Sequence, residues 1–448
     1  MSWKSLELTG WGRNSHQTAL TARPERQKDL QRAIGDSLAQ SGLVAHGGLR
    51  AYGDQALPRG HDQHALLTTR MNRILAFDSA TGIVTVEAGM CFRDMIRAFV
   101  PKGWLIPVSP GTAFATMGGA IANDIHGKNH DTQGSFCNHV LGFELITPDG
   151  TAQQVTPDHN LFRATIGGCG LTGVITTVTV QLKKISGNCV QVTETKIKDL
   201  ESYLIAFDEA TAQNVDYTVG WIDGLAKGKR MGRGIFETAT LSDETIELKP
   251  AKEKSVPIDF PALALNPLSV RSFNLLYRNR FLRKSRTTLT PFEAFNYPLD
   301  AISDWNRIYG KRGFHQFQCV IPRSEGERAL PFLLDTIARS GAGSFLSVLK
   351  TMGGDGRGLL SFPMKGYTLA LDFPHKAGVE GLFRSLHKIT ADHGGRIYLA
   401  KDSMLTRDEF DAMYPNADEM RQVLASLPHS EKLTSQMAAR LALTGDAA

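Results

Sequence analysis

The chain has 448 residues, of which 42% are hydrophobic, and 50 Lys and Arg against 45 Asp and Glu give a formal net charge of +5. This length allows two or three domains with a sizeable core, and so small a charge argues against a nucleic-acid-binding protein. Five scattered cysteines without a CxxC pair argue against a disulfide framework and suit a reducing compartment. The first residues lack an apolar core of signal-peptide length, and no run approaches the roughly 20 apolar residues that span a bilayer. We therefore expect a protein that is cytoplasmic or peripheral to the inner membrane.

The N-terminal elements predict an α+β unit. Residues 24–41 place apolar side chains at helical spacing after a proline suited to a first turn, and therefore predict a helix. The stretch LVAHGGLRAYGD, from Leu43 to Asp54, predicts a short strand that enters a glycine turn. The stretch ILAFDSATGIVTVEAG, from Ile74 to Gly89, predicts two strands joined at a turn that contains Gly82.

Short strands continue through the next hundred residues. Residues 91–103 predict a short amphipathic helix, and residues 104–112 predict a strand that ends in proline and glycine. Residues 139–157 predict a hairpin that turns at the sequence Pro-Asp-Gly. The alternating apolar pattern of residues 173–184 predicts one long strand.

The composition changes after residue 183, where long strands mix with helices up to residue 395. The segment 245–285 is prolonged, contains four prolines and ends in the basic stretch YRNRFLRK. A segment of that length without regular structure is typical of a lid, a partner surface or disorder.

The stretch GGCGLTG, from Gly167 to Gly173, contains the spacing GxGxxG of a dinucleotide-binding turn. That fingerprint requires a strand before it and a helix after it. Here the β-branched run VITTVTV follows instead. We therefore interpret the glycines as a tight turn that leads into a core strand.

The stretch HGKNH places His126 and His130 four residues apart, which is the spacing of a helical zinc pair. Gly127 and Asn129 are poor helix formers, and the glutamate that a metalloprotease needs is missing. We favour two loop histidines that form local hydrogen bonds, and we predict no metal. A zinc hydrolase remains as an alternative, and it would contain stoichiometric metal.

One ligand-binding site would explain all three glycine-rich loops, which span residues 46–54, 111–127 and 167–173. Glycine lets the backbone approach a ligand closely, and successive backbone N–H groups form nests that bind anions. A large, extended ligand with a phosphate group can contact all three loops. Such amides hold a pyrophosphate without a strongly positive pocket.

The order of these motifs resembles the FAD-binding domain of the vanillyl-alcohol oxidase, or PCMH-type, family of FAD-linked oxidases. The shared stretches are VTVEAG, TMGGAIA, HG and GLTG. Residues 50–54, 118–130, 297–310 and 313–322 extend the similarity to the subfamily of decaprenylphosphoryl-β-D-ribose 2'-oxidases, the flavin subunits of a 2'-epimerase. The similarity runs from about residue 10 to about residue 440.

The resemblance implies an α+β, two-domain PCMH-type FAD-binding fold with a mixed-sheet substrate domain. It places the FAD-binding domain at residues 1–183 and the substrate-binding domain at residues 184–395. Residues 396–448 then form a C-terminal segment that returns to the FAD-binding domain.

The implied cofactor is FAD. Covalently flavinylated relatives carry a histidine in the first glycine turn, and Arg50 occupies that position here, so we expect non-covalent FAD. The resemblance assigns the following residues to FAD binding: Ala45, His46, Gly47, Gly48, Leu49, Arg50, Ala51, Tyr52, Gly53, Asp54, Gln55, Gly111, Thr112, Thr116, Met117, Gly118, Gly119, Asn123, Asp124, Ile125, His126, Lys128, Ile175 and Tyr398.

Lys401, in the stretch YLAKDS, is the first candidate for a catalytic group. A buried lysine serves either as a neutral base or as a cation that stabilises reduced flavin. His126 and Tyr52 are candidates for orienting the hydroxyl or the flavin ring. The resemblance places these residues on the substrate side: Arg307, Gln316, Gln318, Lys350, Thr368, Ala370 and Lys401. Thr368-Leu369-Ala370 stands where the mycobacterial type commonly has Asn-x-Cys.

The activity implied by the resemblance is oxidation of the 2'-hydroxyl of a polyprenyl-phosphoryl pentose to a keto sugar. This is the first half of an epimerisation in the synthesis of a cell-wall arabinan precursor, and an NAD(P)H-dependent short-chain keto-reductase is the expected functional partner. The segment 245–285 would then be a lid over the lipid or a membrane-facing surface. Two alternatives remain: a soluble alditol or aldonolactone oxidase that uses oxygen, and a non-catalytic flavoprotein scaffold.

Overall fold

The structure is a computed structural model that describes residues 2–40, 42–247, 254–261, 263–343 and 345–444. Its strands are β1 (Lys4–Thr9), β2 (His16–Ala22), β3 (Leu43–His46), β4 (His64–Leu67), β5 (Ile74–Asp78), β6 (Ile83–Glu87), β7 (Trp104–Leu105), β8 (Val140–Ile146), β9 (Ala152–Val155), β10 (Val174–Gln181), β11 (Lys183–Lys184), β12 (Cys189–Ile197), β13 (Tyr217–Ile222), β14 (Gly234–Ser242), β15 (Lys254–Ser255), β16 (Ser285–Pro291), β17 (Ile302–Ser303), β18 (Phe314–Pro322), β19 (Ser347–Met352), β20 (Gly366–Pro374) and β21 (Arg396–Ile397).

The helices lie between these strands and after the last of them. They are α1 (Gln27–Gln40), α2 (Phe92–Phe99), α3 (Met117–Ala122), α4 (His130–Gln133), α5 (Asn160–Thr165), α6 (Leu200–Ala212), α7 (Pro267–Arg278), α8 (Phe292–Asn296), α9 (Gly326–Ser340), α10 (Val379–Asp392), α11 (Arg407–Met413), α12 (Ala417–Ser426) and α13 (Gln436–Arg440).

Among the described residues, the N-terminal part of the molecule contains a four-stranded and a five-stranded sheet, together with the short pair of β7 and β11. In the first, of order β1-β2-β4-β3, strands β2 and β3 run parallel to β4, and β1 is antiparallel to β2. The second, of order β5-β6-β10-β8-β9, is antiparallel throughout. The predicted turn at Gly82 and the predicted hairpin of β8 and β9 are confirmed. The predicted first helix is also confirmed, although it begins at Gln27, and residue 41 lies outside the described residues.

An eight-stranded sheet dominates the rest of the chain, in the order β16-β12-β14-β13-β19-β20-β18-β21. Every neighbouring pair is antiparallel, so the expectation of a mixed sheet in the substrate domain is wrong. Helix α6 carries the chain from β12 to β13, and β14 then inserts between them. Helix α9 connects β18 to β19 in the same way, with β20 between them. The helical crossovers thus join strands that are not neighbours, and the inserted strands make the pairing antiparallel.

The two faces of this sheet have different environments. Helices α6, α9 and α10 cover one face, where Phe317 and Cys319 of β18 are fully buried in the largest hydrophobic cluster. Gln316 and Gln318 alternate with them along the strand and therefore point to the opposite face. That opposite face forms one wall of a cavity.

The C-terminal residues return to the N-terminal part of the molecule. The backbone N–H of Thr434 donates to the carbonyl of Leu43 at 3.2 Å, and that of Gln436 donates to Leu57 at 2.8 Å. The division of the chain at residues 183 and 395 remains a prediction.

The segment 245–285 is more regular than its sequence predicts. Its described part contains β15 and helix α7, whereas residues 248–253 and 262 lie outside the described residues. Asn266 caps α7 by accepting from the N–H groups of Leu268 and Ser269, and Pro267 is the first helical residue. The proline therefore begins a helix rather than interrupting one.

The described residues contain neither a disulfide nor a helix that could span a membrane. All five cysteines are free thiols. Within the described ranges, every helix is too short or too polar to cross a bilayer.

Candidate active site

A cavity of about 580 Å³ lies between the glycine-rich loops of the N-terminal part and the open face of the eight-stranded sheet. All three predicted loops contribute to its wall. Its size is within the range of sites for drug-sized ligands and cofactors, which is about 300–1,000 Å³.

The first loop follows β3 and packs against the beginning of α3. A Cβ atom on Gly47 would lie 2.2 Å from Oγ1 of Thr116, so only glycine allows this approach. Thr116 caps α3 and accepts from the N–H of Gly119 at 3.3 Å. The loop and the start of α3 therefore present bare backbone amides to one end of the cavity.

Most residues assigned to the cofactor line the cavity. They are Ala45, His46, Gly47, Gly48, Leu49, Arg50, Ala51, Tyr52, Gln55, Gly111, Thr112, Thr116, Gly118, Gly119, Asn123, Ile125, His126, Lys128, Ile175 and Tyr398.

Four assigned residues lie behind this wall. Met117 is fully buried in the core, and Asp124 accepts hydrogen bonds from Ser135 and Ser361 at 2.6 Å. Gly53 packs against the carbonyl of Asp402, and Asp54 pairs with Arg440. These four residues support the wall rather than form it.

Several buried polar atoms on the wall have no hydrogen-bond partner in the protein. They are both ring nitrogens of His46, Nε of Arg50, Oε1 of Gln55 and Nδ1 of His126. Burial lowers the pKa of His46 to about 4. Because nearly all buried polar groups in native proteins are hydrogen-bonded, a group of orphan atoms around one cavity indicates a polar ligand.

Lys401 lines the cavity, with its Nζ 3.5 Å from the ring centroid of Tyr52. It is partly accessible from the cavity but enclosed by protein on its other sides. Burial lowers its pKa to about 7, the charge of Asp372 opposes this shift, and Lys350 adds to it. The amine is therefore available as a base near neutral pH.

Asp372 is an acidic residue that sequence reasoning missed. It is fully buried on β20, where burial raises its pKa to about 7. Gln316 donates to it at 2.5 Å, and the hydroxyl of Tyr309 donates at 3.1 Å. An aspartate in the otherwise apolar strand LALDFP, two residues beyond Ala370, was the available signal.

His126 is neutral, because burial and the nearby Lys350 lower its pKa well below the usual value. The side-chain amide of Gln318 donates to its Nε2 at 3.0 Å. A neutral imidazole that accepts at Nε2 carries its proton on Nδ1. This Nδ1–H group is the donor of His126 that has no hydrogen-bond partner in the protein.

Two lysines place positive charge beside His126. The Nζ atom of Lys350 donates to the carbonyl of Gly127 at 3.4 Å, and that of Lys128 donates to Phe295 at 2.6 Å. Burial and the charge of Lys128 lower the pKa of Lys350 to about 8. Lys350 therefore remains mostly protonated at neutral pH.

The remaining substrate-side residues divide into two groups. Ala370 lines the cavity together with Gln316, Gln318, Lys350 and Lys401.

Thr368 and Arg307 do not line the cavity. Thr368 lies behind Gln318, which donates to its hydroxyl at 3.3 Å. Arg307 faces away, and its guanidinium donates to the carbonyl of Pro257 at 3.0 Å.

One end of the cavity is apolar and was not predicted. Helix α7 brings Phe273 and Tyr277 to this end, where they meet Phe345 and Trp221 with ring centroids 5.1 and 4.8 Å apart, respectively. The sequence predicts an irregular segment here, and so it gives these aromatic residues no position. The capping sequence Asn-Pro-Leu-Ser was the signal that could have located the helix.

The two histidines of HGKNH do not act as a pair. Their ring centroids are 6.5 Å apart, and Nδ1 of His130 accepts from the N–H of Gly353 at 3.2 Å. Among the described residues, no group of three or more His, Cys, Asp or Glu side chains could hold a metal ion.

We expect Gly53→Ala to weaken ligand binding at the first loop. The added Cβ would lie 1.9 Å from the carbonyl oxygen of Asp402, so the loop must move. Overpacking of this kind costs about 1–3 kcal/mol, or roughly 5- to 150-fold in Kd. Titration of the ligand-free protein with FAD measures the change. Gly381→Ala is the control, since its Cβ meets open space, and equal affinities of the two variants would contradict the prediction.

Comparison with known proteins gives consistent matches. A family model described as an FAD binding domain matches residues 18–156. Decaprenylphosphoryl-beta-D-ribose oxidase from Mycolicibacterium smegmatis is 35% identical over 97% of both chains. An uncharacterised protein from Streptomyces coelicolor is 32% identical over 77% of this chain and 97% of its own. A D-lactate dehydrogenase from Anaerostipes hadrus is 28% identical over 25% of this chain and 26% of its own.

Proposed function

The chain belongs to the decaprenylphosphoryl-β-D-ribose oxidase family of FAD-binding oxidoreductases, and on that premise we propose that it oxidises the 2'-hydroxyl of a polyprenyl-phosphoryl pentose to a keto sugar. The observation that carries the proposal is the placement of Lys401. Its amine lies on the cavity wall, over the ring of Tyr52, with a pKa near neutrality.

FAD is the cofactor, and the cavity fits it. Bare amides of the loop at residues 46–52 and of the start of α3 suit a pyrophosphate. The orphan nitrogens of His46 and Oε1 of Gln55 supply further partners for a polar, extended molecule. When bound, FAD supplies the oxidant for removal of two electrons from the substrate.

We propose that FAD is held without a covalent bond. Arg50 stacks between Trp11 and Phe114, at 4.1 and 4.9 Å from the ring centroids, and so fills the position of the flavinylated histidine with a group that forms no such bond. Acid precipitation should leave the flavin in the supernatant. Flavin that stays with the pellet would point to His46 as an attachment site.

In this proposal Lys401 accepts the hydroxyl proton of the substrate. Oxidation of a secondary alcohol removes a hydride from carbon and a proton from oxygen, and a positioned base lowers the barrier. Gln316 and Tyr309 hold Asp372 in place, and its charge tunes the pKa of Lys401. The Nδ1–H group of His126 is an available donor to the substrate oxygen.

The phosphate of the substrate needs a cation, and Lys350 and Lys128 are the cations on the cavity wall beside His126. The phosphate charge would favour the protonated form of Lys350. The apolar end beneath α7 then suits the first isoprene units. A sugar with both a phosphate and a prenyl chain therefore suits the lysines beside His126 and the aromatic side chains beneath α7. The wall also carries the acids Glu237 and Asp300, and Glu237 is paired with Arg280.

The proposed product is a ketone, whose flat carbonyl carbon can be reduced from either face. We propose that an NAD(P)H-dependent short-chain keto-reductase reduces it from the opposite face, which completes an epimerisation in the synthesis of a cell-wall arabinan precursor. We further propose that the reaction takes place in the cytoplasm or at the periphery of the inner membrane.

The visible absorption spectrum, recorded anaerobically before and after addition of polyprenyl-phosphoryl ribose, tests the proposal. We expect the flavin bands to bleach with this substrate and to persist with free ribose or with polyprenyl phosphate. Bleaching by free alditols or aldonolactones, with release of hydrogen peroxide in air, would favour a soluble sugar oxidase instead. Flavin bands that no alcohol bleaches would favour a scaffold.

The rate of bleaching should rise with pH through the pKa of Lys401, which is about 7. Only the neutral amine accepts a proton, so the rate should rise about tenfold per pH unit below the pKa and level off above it. Asp372→Asn should move the inflection to lower pH, because the carboxylate raises the pKa of Lys401. Anaerobic stopped-flow measurements at a series of pH values give both profiles. Asp392→Asn, at an exposed acid paired with Lys388, should leave the inflection in place.

A further inference from the structure

We infer that the outer face of α7, with the chain on either side of it, is a docking surface for an anionic phospholipid bilayer. We call it the α7 surface and define its apolar part by Leu263, Leu268, Leu275, Leu276 and Leu282. The inference deepens the proposed function and rests on it only for the lipid nature of the substrate. The surface itself is argued from exposure, helix geometry and charge.

The exposure of these leucines is high. Leu282 is 98% exposed, Leu263 84%, Leu268 76%, Leu276 73% and Leu275 55%. Single exposed apolar residues are common on soluble proteins, but a cluster of this kind marks an interaction site. All five lie between residues 263 and 282, on helix α7 and on the chain directly before and after it.

Helix α7 is apolar on both of its faces. Leu268, Leu275 and Leu276 follow the spacing i, i+7, i+8 and therefore share its outer face. On the inner face Val270 and Asn274 are each 2% exposed, and the amide of Asn274 donates to Asp223 at 2.7 Å. The outer face therefore exposes three leucines to solvent, although the inner face already packs against the protein.

The charge of the α7 surface has one sign. Residues 261–284 contain five Arg or Lys and no Asp or Glu, and two of the five, Arg278 and Arg280, bond to Ile197 and Glu194 of β12. Arg271, on the outer face of the helix, and Arg283 and Lys284, in the turn after it, are all exposed. Leucines interspersed with cations at a helix surface are typical of interfacial helices that bind anionic lipid.

A second group of cations lies beside this stretch. Lys311, Arg312 and Lys376 line a smaller cavity of about 300 Å³ together with Phe260 and Leu265, and the acid on its wall, Asp259, is paired with Arg13. The Nζ atom of Lys376 donates to the carbonyl of Leu265, which ties this basic cavity to the chain just before α7. The cavity offers room for phosphate headgroups next to the inserting leucines.

The inner face of α7 connects the proposed membrane surface with the active-site cavity. Phe273 and Tyr277 line the apolar end of that cavity. A prenyl chain that enters beneath α7 would thus pass from the bilayer to the cavity along apolar side chains. This geometry explains why one helix carries apolar residues on both faces.

A bilayer suits these side chains better than a folded protein partner. Three of the leucines lie on helix α7 and two lie on the chain beside it, and exposed cations are interspersed among them. Protein interfaces tend to be built on aromatic anchors that fill pockets, with charge depleted at the centre. Deformable lipid accepts projecting leucines and neutralises the cations among them.

Vesicle flotation of the FAD-loaded protein tests the inference without any substrate. We expect the protein to float with vesicles of phosphatidylcholine and phosphatidylglycerol, and to float poorly with phosphatidylcholine alone or at high salt. The variant Leu268→Ser/Leu275→Ser/Leu276→Ser should partition at least about tenfold less. The control Ile74→Ser/Leu75→Ser, at two exposed residues of β5, should float like the wild type.

Unchanged FAD content and thermal midpoint of the triple variant show that it is folded. Absence of flotation of the wild-type protein, or equal flotation of the triple variant, overturns the inference and leaves a protein as the alternative occupant. The result is separate from the proposed reaction. Flotation by a protein whose flavin no polyprenyl-phosphoryl sugar bleaches would support the surface and refute the function.

Discussion

Replacement of Lys401 by methionine should lower the rate at which the substrate bleaches the flavin by about 10²–10⁴-fold, the usual contribution of a general base. Methionine preserves most of the length and the contact with Tyr52 while removing the amine. Because burial and neighbouring charge bring the pKa of Lys401 to about 7, the wild-type amine is partly neutral at physiological pH. The side chain is thus both placed and tuned for proton acceptance.

The measurement is anaerobic stopped-flow absorbance with saturating polyprenyl-phosphoryl ribose. FAD content of the Lys401→Met protein must match that of the wild type, so that the rate reports on chemistry. Lys388→Met, at an exposed lysine of α10, provides the control for a lost surface charge. A rate within a few-fold of the wild type would remove Lys401 from the role of base and would leave only a binding role for it.

The order of elements in the N-terminal part was predictable because its signals are local. Alternating apolar residues, the turn at Gly82 and the hairpin of β8 and β9 are each fixed by neighbours in the sequence. The glycine loops were located for the same reason. What the residues alone could not supply was the ligand, which came from a resemblance.

The pairing of the large sheet was not predictable from local pattern. A helix between two strands usually predicts a parallel neighbour, yet β14 and β20 insert between the strands that α6 and α9 connect. Strand order depends on contacts between residues far apart in the chain, and periodicity carries no information about them. The expectation of a mixed sheet failed on this point.

Side-chain direction explains why some residues predicted on the substrate side line the cavity and others do not. Gln316 and Gln318 are two residues apart on β18, so they point to the same face and line the cavity together. Arg307 lies on a short turn without such a pattern, and its guanidinium turns toward the carbonyls of residues 256 and 257. Asp372 was overlooked because a single acid in an apolar strand resembles an exposed residue until burial is known.

Replacement of Arg440 by methionine should destabilise the protein by about 3–5 kcal/mol, the cost of breaking a buried ion pair from one side. Arg440, on α13, donates to both carboxylate oxygens of Asp54 at 2.8 and 2.9 Å. It also forms an ion pair of 2.9 Å with Asp402, whose side chain is 1% exposed. Helix α13 thereby connects the first glycine-rich loop, through Asp54, to Asp402, the residue that follows Lys401.

The destabilisation caused by Arg440→Met should depend on pH, because Arg440 is paired with the carboxylates of Asp54 and Asp402. Burial alone would raise the pKa of Asp402, but Arg440 brings it below the usual value. Its stabilisation is therefore present above the ordinary pKa of aspartate and is lost as the pH falls through the lowered value. Burial raises the pKa of Asp54 even beside Arg440. Without the arginine both acids should protonate more readily, so the difference in stability between wild type and Arg440→Met should shrink as the pH falls from neutral toward acid.

Urea unfolding of the FAD-loaded proteins at neutral and mildly acidic pH measures both effects. Arg440→Lys should show an intermediate loss, because an ammonium keeps the charge but cannot donate to both oxygens of Asp54. Arg339→Met removes an exposed pair with Asp335 and should cost less than about 1 kcal/mol. If Arg440→Met lowers the free energy of unfolding no more than Arg339→Met does, the ion pairs of Arg440 do not hold α13 to the first glycine-rich loop. If Arg440→Met both lowers the free energy of unfolding strongly and releases FAD faster, the C-terminal residues hold the first glycine loop and Lys401 in position.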